Sequence, residues 1–347
     1  MKKIGLLSIF FLHFNLSFSQ IGGENTYQFL DLDFNSRSMA LGGDFALAND
    51  GDINLAVANP AMISDKMDAR LSLNHAIFPS GINYGQVVYG KKIKQKMFTT
   101  HLRYVEYGKF TRTNAQGIEE GKFTAGDYAL GVGYGHQLNK YFSVGGNFNL
   151  IFSHLESYTS FGVSTDMTAQ FYDEKSNVTA IIIARNIGYQ IKSYTKKNKE
   201  PLPIELLAGV SYKFLHAPFR LSLMVHDLNR WDLSYNIPDA QPTIDVLTGD
   251  TIPVPKAKFT EKLFRHLNFG VEILPTNNFS IRLGYNFNRR KSLGVEGRMS
   301  IGGFSAGVGF KIKKFEFDYA LAIYSSAGTS NMFTITTNLN EWRRKRE

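Results

Sequence analysis

Cysteine is absent from the 347 residues. That excludes disulfides, thiolate chemistry and a lipid carried on an N-terminal cysteine. Tryptophan is scarce, with 2 residues against 28 Phe and 17 Tyr. Long apolar runs are missing as well. Beyond the first twenty residues nothing approaches the roughly 18 consecutive apolar residues of a helical membrane span. A basic surplus exists but is scattered. The formal net charge of +9 is carried by short clusters at Lys91–Lys96, Lys192–Lys199, Arg289–Lys291 and Arg343–Arg346. Clusters of this kind read as solvated turns and a terminus, so no nucleic-acid partner is expected.

What is present begins with the N-terminus. Lys2 and Lys3 precede a mostly apolar Ile4–Phe18, and the small residues Ser17 and Ser19 stand at −3 and −1 before Gln20. This is the pattern of a cleavable export signal over residues 1–19. Its apolar run is too short and too interrupted to anchor as a helix. An exported chain with 14% aromatics, 31 Gly and a slightly negative mean hydropathy has the composition of a membrane β-barrel, whose strands mix apolar outward residues with polar inward ones.

The dominant period is two. Phe142, Val144, Phe148, Leu150 and Phe152 alternate with Ser143, Gly145, Asn147 and Asn149. Phe279, Ile281, Leu283, Tyr285 and Phe287 alternate with Ser280, Arg282, Gly284, Asn286 and Asn288. Successive side chains of a strand point to opposite faces, so each segment has one greasy and one wet side. A soluble sandwich would alternate too, but its strands are nearer five or six residues. The segments here run about ten to fourteen, enough for a tilted membrane strand.

About fourteen such segments follow Ala69, an even number that returns both ends to one side. Connections at Lys92–Lys96, Asn139–Lys140, Asp173–Ser176, Leu215–Pro218, Pro275–Asn278 and Lys313–Lys314 are short. The alternate set holds the long ones, Gly108–Thr124, Gly188–Leu202, Trp231–Phe264 and Arg289–Met299. Short periplasmic turns and longer outer loops are the expected arrangement. The expected fold is therefore all-β, a transmembrane antiparallel barrel of about fourteen strands over residues 69–340. A basic periplasmic tail would occupy 341–347. The runs Gly131-x-Gly133-x-Gly135 and Gly302-Gly303…Gly307-x-Gly309 lie inside alternating strands, where glycine makes room for inward-packed residues, and open no helix as a nucleotide site requires.

Residues 20–68 break the pattern. Arg37-Ser38-Met39-Ala40-Leu41-Gly42-Gly43, the acidic Asn49-Asp50-Gly51-Asp52 and Asn59-Pro60-Ala61 are too polar for spanning strands and too rich in Ala, Leu and Met for a free linker. Gly42-Gly43 permits a backbone other residues avoid, and Asn59-Pro60 is a cap followed by a helix-compatible proline. A plug inside the barrel is the simplest home. There it would meet the inward Arg70, Arg220, Arg282, Glu272, Glu316 and Asp318. Arg37, Ala40, Leu41, Gly42, Gly43, Asn59, Pro60 and Ala61 are its motif residues.

With its Ala-Leu-Gly-Gly and Asn-Pro-Ala elements ahead of period-two strands, the chain resembles barrels related to the FadL long-chain fatty-acid transporters. More closely, Gly23–Asn83 resembles the PorV/PorQ group, outer-membrane components of the type IX secretion system of Bacteroidetes. Tyr27-Gln28-Phe29-Leu30 and Ile82-Asn83-Tyr84-Gly85 favour the PorQ branch. The resemblance implies a fourteen-stranded barrel in the outer membrane and a place in a surface attachment complex with PorU, a sortase-like transpeptidase, PorV and the surface protein PorZ.

Enzyme chemistry finds little support. There is no nucleophile elbow and no metal-spaced His pair, so no catalytic residue, cofactor or metal is expected. His154 with Glu156, and His226-Asp227, are treated as structural. A non-enzymatic scaffold would bind its partner through the loop Trp231–Phe264, with Trp231, Tyr235, Ile244, Val246 and Leu247 as candidates. The alternative is a FadL-like transporter of hydrophobic small molecules, for which the charged inward set is a poor lining.

Overall fold

The computed structural model describes residues 25–78, 81–196, 198–234, 243–244, 251–252, 257–292, 301–325 and 328–343. Fourteen antiparallel strands close into one barrel. They are β1 (Arg70–Ile77), β2 (Asn83–Ile93), β3 (Lys96–Thr113), β4 (Glu119–Gln137), β5 (Phe142–Leu155), β6 (Tyr158–Asp173), β7 (Val178–Lys192), β8 (Glu205–Lys213) and β9 (Phe219–Val225). After the short pair β10 (Thr243–Ile244) and β11 (Thr251–Ile252) come β12 (Leu267–Thr276), β13 (Phe279–Asn286), β14 (Phe304–Ile312), β15 (Phe315–Ser325) and β16 (Gly328–Asn338). Closure is made by β1 on β16, from Arg70 opposite Asn338 to Ile77 opposite Asn331. A closed ladder leaves no edge, which is what a β structure needs in hydrocarbon, where an unpaired N–H or C=O finds no water. The small pair β10–β11 is a separate two-stranded unit, with Thr243 opposite Ile252.

The alternation seen in the sequence sorts side chains as expected. Leu73, Leu130, Phe148, Ile182, Leu221, Leu283 and Phe333 project outward and are exposed, while Ser72, Asn149, Ser164, Ser211, Asn268 and Thr334 face inward and are buried. Aromatic pairs mark both rims. Phe142–Phe171, Tyr212–Phe214 and Phe310–Phe317 sit towards the end that carries the C-terminus, with centroids 4.8–5.4 Å apart. Phe152–Phe161 and Tyr285–Phe304 sit towards the other, at 6.0 and 4.7 Å. Such belts are the interfacial girdles of membrane barrels.

Turns at the terminus end are tight for local reasons. Lys94, Asn177 and Lys313 adopt left-handed backbone, with φ of 55, 53 and 54°, as short hairpins demand. Asn139 Oδ1 accepts from both Tyr141 and Phe142 N–H in the β4–β5 turn.

Several boundaries differ from expectation. The stretch Gly108–Thr124, read as a loop, continues the ladder of β3 and β4 outward, with Phe110 stacked on Phe123 at 5.3 Å. Its charged residues suppress the apolar period without removing the backbone's need to pair. β7 likewise runs on to Lys192, past the expected end near residue 187. β9 stops at Val225, because Asp227 turns left-handed at φ 54°.

Residues 25–67 fold as short pieces against the inner wall. Helix α1 (Ser36–Ala40) contacts β13, β14, β15 and β16, and α2 (Ile53–Ala58) contacts β1, β2 and β3. The 3-10 turn Pro60–Met62 contacts β4, β5 and β6. Caps start each piece: Asn35 accepts from Ser38 N–H, Asp52 from Asn54 N–H and Asn59 from Ala61 N–H. The apolar side of this segment, including Leu41, Phe45, Leu47, Ile53, Leu55 and Met62, forms the core with Val88, Ile183, Leu207 and Met224 of the wall.

Candidate functional site

The interior holds two charged clusters, one towards each end. At the end that carries the C-terminus the centre is Glu272 of β12, 1% exposed. Its carboxylate accepts from Arg37 Nε and Nη2 at 2.8 and 3.0 Å, a bidentate clamp. It accepts as well from Arg282 Nε at 3.1 Å and from Arg220 Nη1. Arg37 also donates to Asp50 at 2.7 and 3.0 Å and to Asp52 at 3.2 Å. Arg282 reaches Asp318, and Arg70 pairs with Glu316 towards the mouth. Burial pushes the Asp50 carboxyl up, but the charge and hydrogen bond of Arg37 and the charge of Arg220 together outweigh it and hold Asp50 below its ordinary range. Of the inward residues expected to meet the plug, Glu272 pairs with Arg37 and Arg220 approaches Asp50 at 3.6 Å, whereas Arg282 pairs with Glu272 and Asp318 of the wall. Arg70 and Glu316 pair with each other instead.

The motif residues act by close approach. Gly42 and Gly43 have φ of 97 and 96°, a left-handed turn that glycine adopts at no steric cost. It brings Leu41 and Gly42 backbone onto β13 at Gly284, where a methyl would collide with Gly42 N. Ala40 sits against Gly307 of β14, and a methyl there would lie 2.6 Å from its Cβ. Pro60 and Ala61 fill the space over Gly145 of β5 in the same way. Asn59, fully buried, donates to Ala46 O at 3.0 Å and to Gln170 Oε1 at 2.7 Å. The strand glycines thus form seats for Ala-Leu-Gly-Gly and Asn-Pro-Ala.

Towards the other end, Arg185 of β7 bridges plug and wall, donating to Asp44 at 2.8 Å and contacting Glu205 of β8. His226 Nδ1 lies 2.9 Å from Asp227 Oδ2. Asp33 accepts from Ser38 Oγ at 2.7 Å and from Asp44 N–H at 3.1 Å. Burial pushes its carboxyl up, and Asp44 adds to that against the pull of Arg289. Among the described residues one group, Asp44, Glu205 and His226, brings enough donors together to hold a metal ion. No sequence signal pointed to it, because its members come from three separate segments.

Other sequence readings are corrected by position. Arg289, read within a solvated cluster, is nearly buried. It lies 3.5 Å from Asp33 and 4.3 Å over the Tyr324 ring. His154 and Glu156, read together as a structural pair, have separate partners. Glu156 leaves the strand at φ 57° to pair with Arg112 at 2.7 Å, and His154 stacks on Tyr128.

Of the loop candidates, Trp231 is half exposed and stacks on His266 and Phe259 at 5.6 and 5.4 Å. Ile244 lies in β10. Tyr235, Val246 and Leu247 lie outside the described residues, as do residues 1–24. At the loop's base Asp232 anchors Lys262 of helix α3 (Phe259–Arg265), which presents Phe259, Leu263 and Phe264 to the exterior.

No protein-family model matches the sequence, and no curated protein does. Solved structures match in fold. The Pseudomonas putida toluene transporter TodX aligns with a TM-score of 0.50 at 12% identity, over 88% of this chain and 97% of that one. A CymD monoaromatic hydrocarbon channel aligns at 0.48 and 12%, over 88% and 96%. A Pseudomonas aeruginosa FadL homologue aligns at 0.46 and 10%, over 88% and 98%. At these identities the likeness is one of fold, and the TodX alignment carries it. The chain shares with TodX the fold of a closed antiparallel barrel.

Proposed function

We propose that the chain is exported by a signal in residues 1–19 to the outer membrane. There its plugged barrel acts as a scaffold without catalysis of its own, holding a surface partner at its loop end. The observation that carries this reading is the filled interior: Arg37, Asp50 and Glu272 tie the plug to the wall by ion pairs. The recess of about 350 Å³ at the terminus end is lined by Arg37, Arg220, Arg282, Lys311 and Glu316. Charged walls of this kind suit a fixed stopper better than an apolar conduit. The exposed Trp231, Phe259 and Phe264 at the base of the long connection support a protein contact there. The sequence resemblance supplies the finer setting, a type IX attachment complex with PorU, PorV and PorZ.

A second reading is the one the structural neighbours favour. TodX is a toluene transporter, and its fold likeness supports transport of small hydrophobic molecules with the plug as gate. Deleting residues 235–256 separates the two readings. The scaffold reading expects the surface partner to be lost from purified outer membranes while uptake of toluene-like probes stays unchanged. Undiminished partner retention with lost uptake overturns the scaffold and leaves the transporter.

A further inference from the structure

The plug meets the wall in a way that ion pairing alone does not explain. Asp44, from the plug, and Glu205, the first residue of β8, converge with His226, the residue after β9. One ligand atom of each lies within 4.8 Å of the others. Asp31 and Asp227 add to the negative field around Glu205. Arg185 faces these four carboxylates from inside, the exposed Arg230 reaches Asp227 only at 3.8 Å, and Arg289 and Arg103, which also act on Asp44 and Asp31, are drawn first to Asp33 and Asp166. Negative charge therefore exceeds positive charge at a site where Glu205 is 6% and His226 5% exposed. Uncompensated buried charge is costly, and proteins meet it with protons or cations.

His226 indicates which. Its Nδ1 faces the Asp227 carboxylate at 2.9 Å, so Nδ1 carries a proton and Nε2 is the nitrogen that can offer a lone pair to a cation. That Nε2 is buried and has no hydrogen-bond partner among the described residues. An imidazole oriented through one nitrogen by a carboxylate, with the other nitrogen unpaired, is the arrangement that metal-ligating histidines show. Arg185 takes one oxygen of each carboxylate, Asp44 Oδ1 and Glu205 Oε2. Among the described residues the second oxygens make only long hydrogen bonds, 3.4 Å from Asn268 Nδ2 and 3.3 Å from Asp227 N.

We propose that Asp44, Glu205 and His226 bind a divalent first-row transition-metal ion, with zinc as the natural probe, and that this ion pins the plug to the wall where β8 begins and β9 ends. One imidazole and two carboxylates form a mixed N/O donor set suited to such ions. Tetrahedral zinc holds its ligands at bond lengths of about 2.0–2.2 Å, so the three groups close inward by small side-chain rotations, and water completes the shell. Asp227 is a positioning residue that sets the imidazole.

The test uses the full folded protein, purified in detergent, stripped with a chelator and titrated with zinc chloride. Metal analysis after desalting should find one zinc per chain. His226→Ala and Asp44→Asn should each abolish stoichiometric retention, the second being close in shape and so guarding against a folding defect in the first. Asp227→Asn should weaken binding about 10–100-fold, the range seen when the partner of a ligating histidine is lost. His216→Ala, in the exposed β8–β9 turn, should change nothing. Zinc should also slow hydrogen exchange in residues 44–48 of the unmutated protein. Failure to retain zinc, or retention that His226→Ala and Asp44→Asn leave intact, overturns the site.

Discussion

Glu272 accepts from three guanidinium groups in a place water does not reach, and its neighbours would feel its loss unequally. Glu272→Gln leaves Arg37, Arg220 and Arg282 sharing Asp50, Asp52 and Asp318, of which Asp50 is the most exposed. Removing one partner of a buried ion pair costs about 3–5 kcal/mol, mostly because the other charge stays buried without compensation. A partly exposed pair is worth only about 0–1 kcal/mol, so Glu316→Gln, at the Arg70 pair nearer the mouth, should be nearly silent. The check is the temperature at which the folded barrel loses its fast-migrating band on an unboiled detergent gel. Glu272→Gln should lower it clearly and Glu316→Gln barely. Equal shifts would mean that the cluster around Arg37 is not what secures the plug.

Among the elements, the plug depends on strand residues that have no side chain. Gly145 and Gly146 are adjacent in β5 but face opposite ways. A methyl on Gly145 would enter the space of Pro60 and Ala61 backbone, whereas one on Gly146 meets only the carbonyl of Asp166 at 3.1 Å. Overpacking of a tight interior costs about 1–3 kcal/mol. Gly145→Ala should therefore loosen the plug and raise single-channel conductance in planar bilayers, while Gly146→Ala stays near the parent level. Unchanged conductance in Gly145→Ala would show that the Asn-Pro-Ala turn can shift without opening a path.

Much of this element-level order was legible in the sequence. Strict alternation around Phe148 and Leu283 located the strands, and Gly42-Gly43 and Asn59-Pro60 announced their turns. The outward extension of β3 and β4 was not legible, since Lys109, Arg112 and Lys122 look like loop once no bilayer selects apolar partners. Nor was the meeting of Asp44, Glu205 and His226. Period and spacing report on neighbours along the chain, and these three are brought together only by closure of the barrel around its plug.

For the whole molecule the question is which end faces the cell exterior. Strand order puts the β1 start, the β16 end and the tight β4–β5, β6–β7 and β14–β15 turns at one end. The β3–β4 hairpin, the end of β9 and the start of β12 lie at the other. Bacterial barrels keep short turns on the periplasmic side and long loops outside, so the β3–β4 hairpin should be external. The lack of native cysteine makes the prediction clean to test, because any introduced thiol is unique. Gln116→Cys, in the exposed tip of the hairpin, should react with a membrane-impermeant maleimide on intact cells. Lys140→Cys, in the exposed β4–β5 turn, should react only after the outer membrane is disrupted. The reverse pattern would invert the barrel and move the Asp44–Glu205–His226 corner to the periplasmic side. Equal labelling of both in intact cells would mean that the chain does not span the membrane, leaving its outward belt of Leu130, Phe148 and Leu283 without the hydrocarbon it needs.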